Sequence, residues 1–128
     1  MTSLTVPYSV ACALPSLSVL DITNEVAREV ADSGVGSGIA YVSAGQEPCL
    51  VRVSERESGF FEDLEELLGR LLPLDEPDRA RLLCFLLGPR TEQIPFQDGQ
   101  LCLGQWQRIL LVAFDENCAG DWLTTIVG

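Results

Sequence analysis

The sequence predicts an α+β fold, mainly an antiparallel sheet sandwich with a few short helices. Apolar residues make up 47% of the 128 residues, enough to furnish a real core in one domain covering residues 1–128. Strand-like runs are interrupted by helices rather than alternating with them, which favours an antiparallel sheet packed on helices. Asp98-Gly99, set between "TEQIPFQ" and "QLCLGQWQ", is a strong type I′ hairpin signal.

The elements follow in chain order. "TSLTVPYSVACA" alternates as a strand, and Pro15 breaks it from "SLSVLDI". "TNEVAREVADSG" reads as a short helix with Thr23 as N-cap and Val26, Ala27 and Val30 on one face. Gly34 suits the position after its end. "GIAYVSA" and "CLVRVSE" read as strands joined by a turn containing Pro48. "SGFFEDLEELLGRLLP" is the clearest helix: Ser58 caps it, and Phe60, Phe61, Leu64, Leu67, Leu68, Leu71 and Leu72 recur at spacings of three or four. Its Glu62, Asp63, Glu65 and Glu66 form a solvated face, and Pro73 ends it. "EPDRARLLCFLLGP" follows as a helix with Pro77 near its first position, stopped by Gly88-Pro89. The hairpin, "RILLVAFD", the turn "ENCAG" and "DWLTTIV" complete an all-strand finish.

Composition removes several function classes. Nineteen acids against 8 bases give a net charge of −11, which argues against nucleic acid as partner, since affinity for phosphate backbones rests on Lys and Arg. All the bases are arginines, so Schiff-base chemistry and a P-loop lysine are excluded. No apolar run reaches the roughly 18 residues that span a bilayer. The N-terminal stretch also lacks the positive start of a signal peptide. The expectation is a cytoplasmic protein with no membrane partner. The five cysteines show no CxxC, and without histidine they complete no Cys/His zinc site. They read as reduced and structural, with Cys84 and Cys102 packed as small hydrophobes and Cys49 lacking an imidazole to activate it. Trp106 and Trp122 read as core or interface packing.

"GQEPCLVRVSERE", residues 45–57, lies where an enzyme would place working side chains, yet neither it nor the rest of the chain contains a histidine. No group there titrates near neutral pH as imidazole does.

"LLGPRTEQIPFQDGQLCLGQWQRILLVAFD" resembles the YjbQ-like family, often labelled a secondary thiamine-phosphate synthase. The matching pieces, in order, are Leu86 to Pro89, Pro95 with Asp98-Gly99, Leu103 to Gln107 (Gln105 replacing a threonine), and Phe114-Asp115. Upstream, "LDITNEVAREVADSGVGSGIAYV" resembles the family's Asp-Ile-Thr helix with its following strand, and "EDLEELLGRLLP" its central helix. The resemblance implies the α+β sandwich, assembly as a homotrimer, and an activity joining a pyrimidine diphosphate to a thiazole phosphate.

It also locates what is altered. Gln46 falls where the family has a histidine, Glu47 and Pro48 on threonines, Cys49 on an alanine, and Ser54 on an asparagine; Glu55 alone matches its glutamate. The family's second histidine, after an acidic Asn-rich loop, has no counterpart in the shorter "LDEPDRARLLC", where Arg79 and Arg81 stand instead. Gln46, Glu55, Arg79 and Arg81 are therefore the candidate ligand-binding residues, with no catalytic residue and no resident metal or cofactor assigned. Arginines fork onto phosphate oxygens, so Arg79, Arg81 and Arg90 suit a small anion or phosphorylated metabolite. Glu47, Glu55 and Glu57 could hold Mg²⁺ only weakly. The expectation is a non-catalytic oligomeric domain binding an anion or a protein. The alternative is a residual transferase with carboxylate-held Mg²⁺ and arginines on a diphosphate.

Overall fold

The computed structural model describes residues 9–45, 48–114 and 120–128. Two four-stranded antiparallel sheets are built from the described residues. The first sheet orders β1 (Ser9–Leu14), β2 (Leu17–Asp21), β7 (Gln107–Ala113) and β4 (Cys49–Glu55) side by side. The second orders β6 (Gln100–Leu101), β5 (Thr91–Gln97), β3 (Gly38–Ala44) and β8 (Trp122–Val127). Helices α1 (Thr23–Asp32), α2 (Ser58–Leu71) and α3 (Arg79–Leu87) interrupt the strands as expected. The turn "ENCAG" falls almost wholly outside the described residues.

Alternation along the strands builds the layers. Val42, Ala44 and Ile94 of the second sheet face Val51, Ile109, Leu111 and Ala113 of the first, with Ile22 and Val26 closing the cluster. The same inner face continues under α1, where Val30 meets Ala40 and Phe96. The opposite face of the first sheet presents Leu17, Val19, Leu50, Leu110, Val112 and Phe114 to Phe61 and Leu68 of α2 and Leu83 of α3. Among the described residues the outer face of the second sheet has no such cover: Leu123, Thr125 and Val127 on β8 are exposed.

Local signals agree with the structure to different degrees. Asp98 (φ 52°) and Gly99 (φ 73°) both take the positive φ that a type I′ turn requires. The strand after them ends at Leu101, because Gly104 then takes part in a turn with Gln107. Gly34 has φ 77°, the left-handed conformation that ends a helix. The helix caps differ from expectation. α1 begins at Thr23 and α2 at Ser58, and neither helix has a side-chain cap hydrogen bond. α3 begins at Arg79, beyond Pro77. Glu65, assigned to a solvated face, instead accepts hydrogen bonds from the backbone N–H and hydroxyl of Ser16, both at 2.7 Å, and so ties α2 to the β1–β2 turn.

The α2 stripe is wider than the surface it covers. Phe61 and Leu68 are buried, while Phe60, Leu67 and Leu71 stay half exposed or more. On α3 Phe85 is 87% exposed. No helix among the described residues is long and apolar enough to cross a membrane.

Candidate functional site

The larger polar cleft lies between the start of β4 and α3. It encloses about 650 Å³ and is lined by Cys49, Asp78, Arg81, Cys84, Phe85 and Arg90, among others. α3 places Arg81 and Cys84 on this side because they stand three residues apart, on one helical face. Arg81 is mostly exposed, and its ion pair with Asp78 is loose at 3.9 Å. Arg90 donates from Nη2 to the carbonyl of Ala44 at 2.9 Å. Its other N–H groups have no acceptor among the described residues.

Arg79, two residues before Arg81, points the other way. Residues two apart on a helix diverge by about 200°. Arg79 is only 5% exposed; its Nε donates to the carbonyl of Leu72 at 3.0 Å, and Nη2 is buried without a hydrogen-bond partner among the described residues. Arg79 and Arg81 therefore do not share a ligand face.

Glu55 lies at the other end of β4, paired with Gln107 of β7. Six residues of extended strand separate it from Cys49, a span of about 20 Å. Around it are two shallow hollows. One of about 170 Å³ is lined by Ser54, Glu55, Glu57 and Phe60. The other, of about 400 Å³, is lined by Glu55, Arg56, Glu57, Gln105, Trp106 and Arg108. Glu55 is exposed, and the neighbouring arginines look elsewhere: Arg52 to Glu92 at 3.9 Å and Arg56 to Asp21 at 3.2 Å. Gln46 and Glu47 lie outside the described residues. Among the described residues no group of three acids or cysteines is placed to hold a metal ion.

The strongest polar constellation centres on Asp21, whose place at the end of β2 buries its carboxylate. Oδ2 accepts from Arg108 Nε at 2.8 Å and Arg56 Nη1 at 3.2 Å. Oδ1 accepts from the Thr23 N–H at 3.1 Å and its hydroxyl at 2.6 Å. Thr23 Oγ1 in turn accepts from the Ile109 N–H at 2.8 Å, which explains why it does not cap α1. Burial by itself would push the Asp21 carboxyl up, but the hydrogen bonds from Arg108 and Thr23 outweigh it and hold the group below the ordinary carboxylate range. "LDIT" carried no sign of this, because the arginines come from 35 and 87 residues further along the chain.

Two other expectations change. Trp106 is 68% exposed at the rim of the Glu55 hollow, which overturns core packing and leaves the interface reading; Trp122 packs against the core and donates to Glu29 at 3.2 Å. Cys49 is disulfide-bonded rather than reduced, while Cys12 and Cys102 are free thiols. Cys102 is exposed, not packed. Burial, then the nearby Glu62 and Glu65, push the Cys12 thiol up, which keeps it protonated and inert.

Two antiparallel sheets with α2 and α3 on one outer face and α1 closing an edge, together with a histidine-free Arg cleft at the β4–α3 junction, define a class of small two-sheet α+β domains. The profile of the family described as UPF0047 protein YjbQ-like matches residues 13–128, and the chain belongs to that family. A UPF0047 protein of Archaeoglobus fulgidus is 32% identical over 108 residues, covering 77% of this chain and 82% of that one. The crystal structure of an uncharacterised YjbQ/UPF0047-family protein from Clostridium acetobutylicum superposes with a TM-score of 0.76 at 25% identity, covering 95% of this chain and 100% of that one. A hypothetical protein from Aeropyrum pernix superposes with a TM-score of 0.72 at 26% identity, over 94% and 96% of the two chains.

Proposed function

We propose that this chain is a non-catalytic YjbQ-family domain that assembles as a homotrimer in the cytoplasm and holds a small anion, such as a phosphorylated metabolite, in the Arg81–Arg90 cleft. The observation that carries the reading is that cleft: two guanidinium groups lining a space of about 650 Å³, each with N–H groups to spare, in a chain with no imidazole. Arginine never acts as a practical base, so the cleft can grip phosphate oxygens without moving a proton.

Assembly draws on the uncovered apolar surface. Phe60, Leu67 and Leu71 of α2, Phe85 and Leu86 of α3, and Leu123 and Val127 of β8 are a heavy apolar load for a free monomer. β8 is also an edge strand without a charged residue between Trp122 and Val127, the kind of edge that association covers.

Titration of inorganic pyrophosphate by calorimetry tests the binding. Micromolar to millimolar affinity in the wild type, lost in Arg81→Ala and Arg90→Ala, is the expected result; no heat in the wild type ends the anion reading. Light scattering is expected to give about three times the chain mass, and a monomer refutes the assembly.

The alternative transferase draws on Glu55 and Glu57 lining one hollow, where carboxylates could hold Mg²⁺ weakly. The separation of about 20 Å along β4 between Glu55 and the arginine cleft weighs against one centre using both. Thiamine-phosphate formation above background, abolished by Glu55→Gln, would replace the first reading with this one.

A further inference from the structure

A second hollow, unrelated to the anion cleft in its chemistry, lies under α2. It encloses about 330 Å³ between the outer face of the first sheet and the two helices that cover it. Its floor is Leu50, Leu110, Val112 and Phe114, which share one side of β4 and β7 because the register sets Leu50 opposite Val112 and Arg52 opposite Leu110. Its roof is Phe60, Phe61 and Leu64 of α2 with Leu87 at the end of α3. Only Arg52 and Ser54, among the described residues, bring polar side chains to it. Small-molecule sites have this composition, a mostly apolar pocket of about 300–1,000 Å³ with a few placed polar groups.

Arg52 is what gives the pocket a chemical preference. Its side chain is 39% exposed, so the guanidinium stands at the mouth. Nη2 is anchored to the carbonyls of Leu87 and Gly88, which fixes the plane of the group. Nη1 lies 3.9 Å from Glu92, too far for a hydrogen bond, and Nε has no acceptor among the described residues. With Nη2 engaged, Nη1 is left as a pre-oriented, charge-assisted donor to a single carboxylate oxygen. On a chain with a net charge of −11, a guanidinium at the rim of an apolar hollow is the feature that admits an anionic head group.

We propose that this pocket binds a medium-chain aliphatic carboxylate, its head on Nη1 of Arg52 and its chain between α2 and the first sheet. Size sets the length: at roughly 30 Å³ per water-sized group the space holds about eleven heavy atoms, close to octanoate.

Octanoate is the probe. Calorimetry on the full chain is expected to show one site per chain. Arg52→Gln should weaken octanoate about tenfold or more, the loss of a charge-assisted contact, while leaving octanol unchanged. Arg81→Ala should leave octanoate unchanged, which separates this site from the anion cleft. A second measurement needs no variant: in the wild type, octanoate should shift the methyl resonances of Leu64, Leu87 and Val112. The proposal fails if octanoate does not bind, if Arg52→Gln leaves its affinity intact, if Arg81→Ala abolishes binding, or if the shifted methyls lie elsewhere.

Discussion

Replacing Asp21 by asparagine tests the buried constellation. Asparagine keeps the shape and the Oδ1 acceptor, so both contacts from Thr23 survive. The Oδ2 side becomes an N–H₂ aimed at Arg108 Nε, now 2.8 Å away, and Arg56 Nη1, now 3.2 Å away. Donor then meets donor. Two hydrogen bonds to a charged group are worth about 3–6 kcal/mol together. The Arg108 and Arg56 side chains are 34% and 40% exposed, so water returns part of that and about 3 kcal/mol remains as the loss. With an unfolding entropy of about 2.1 cal/mol/K per residue, the midpoint should fall by about 11 °C. The pH dependence adds a second readout. Because folding lowers the Asp21 pKa from its ordinary 3.8, its contribution is fully present above that value and is lost as pH falls through the folded one. The Asp21→Asn variant has no carboxyl to titrate there, so the stability gap should close on acidification. Urea unfolding of both proteins, at one protein concentration, from about pH 7 to about pH 3 measures this. A loss under about 1 kcal/mol at neutral pH, or a gap that persists unchanged in acid, refutes the assignment.

Gly38→Ala should disrupt the β3–β8 pairing, since an added Cβ would collide with the Val127 carbonyl group and the Gly128 Cα, backbone atoms that no side-chain rotation can move aside. A loss of about 1–3 kcal/mol and faster amide exchange along β8 are expected, and unchanged exchange would refute it. Arg79→Met should be neutral or stabilising by up to about 2 kcal/mol, because it removes a buried guanidinium whose Nη2 has no partner among the described residues. A clear drop in midpoint would show that Arg79 is compensated in solution.

The fold was readable where signals are local. Asp98-Gly99 names its own turn, and Val26 and Val30 mark the buried side of α1. Caps misled because Thr23 had a better use: its hydroxyl satisfies Asp21 and the Ile109 N–H at once. The candidate site was half legible. That Arg79 and Arg81 diverge follows from their spacing alone, and that Glu55 stands far from Cys49 follows from strand rise. Asp21 was invisible as a centre, because what makes it one is brought together only by pairing β7 between β2 and β4. The exposure of Trp106 comes instead from a local turn, Gly104 to Gln107, which "LGQWQ" does not announce.

The place of β7 and β8 in the two sheets has a consequence for how the chain is made. β2 and β4 are not joined until β7, residues 107–113, slides between them, and β3 gains its second flank only with residues 122–127. During synthesis the nascent polypeptide must therefore hold a hairpin and a lone strand apart, with the edges of β2 and β4 that pair with β7 left open, until residues 107–113 have left the ribosome. A chain halted before residue 107 would display these unpaired strand edges, an intermediate of the kind that chaperones recognise.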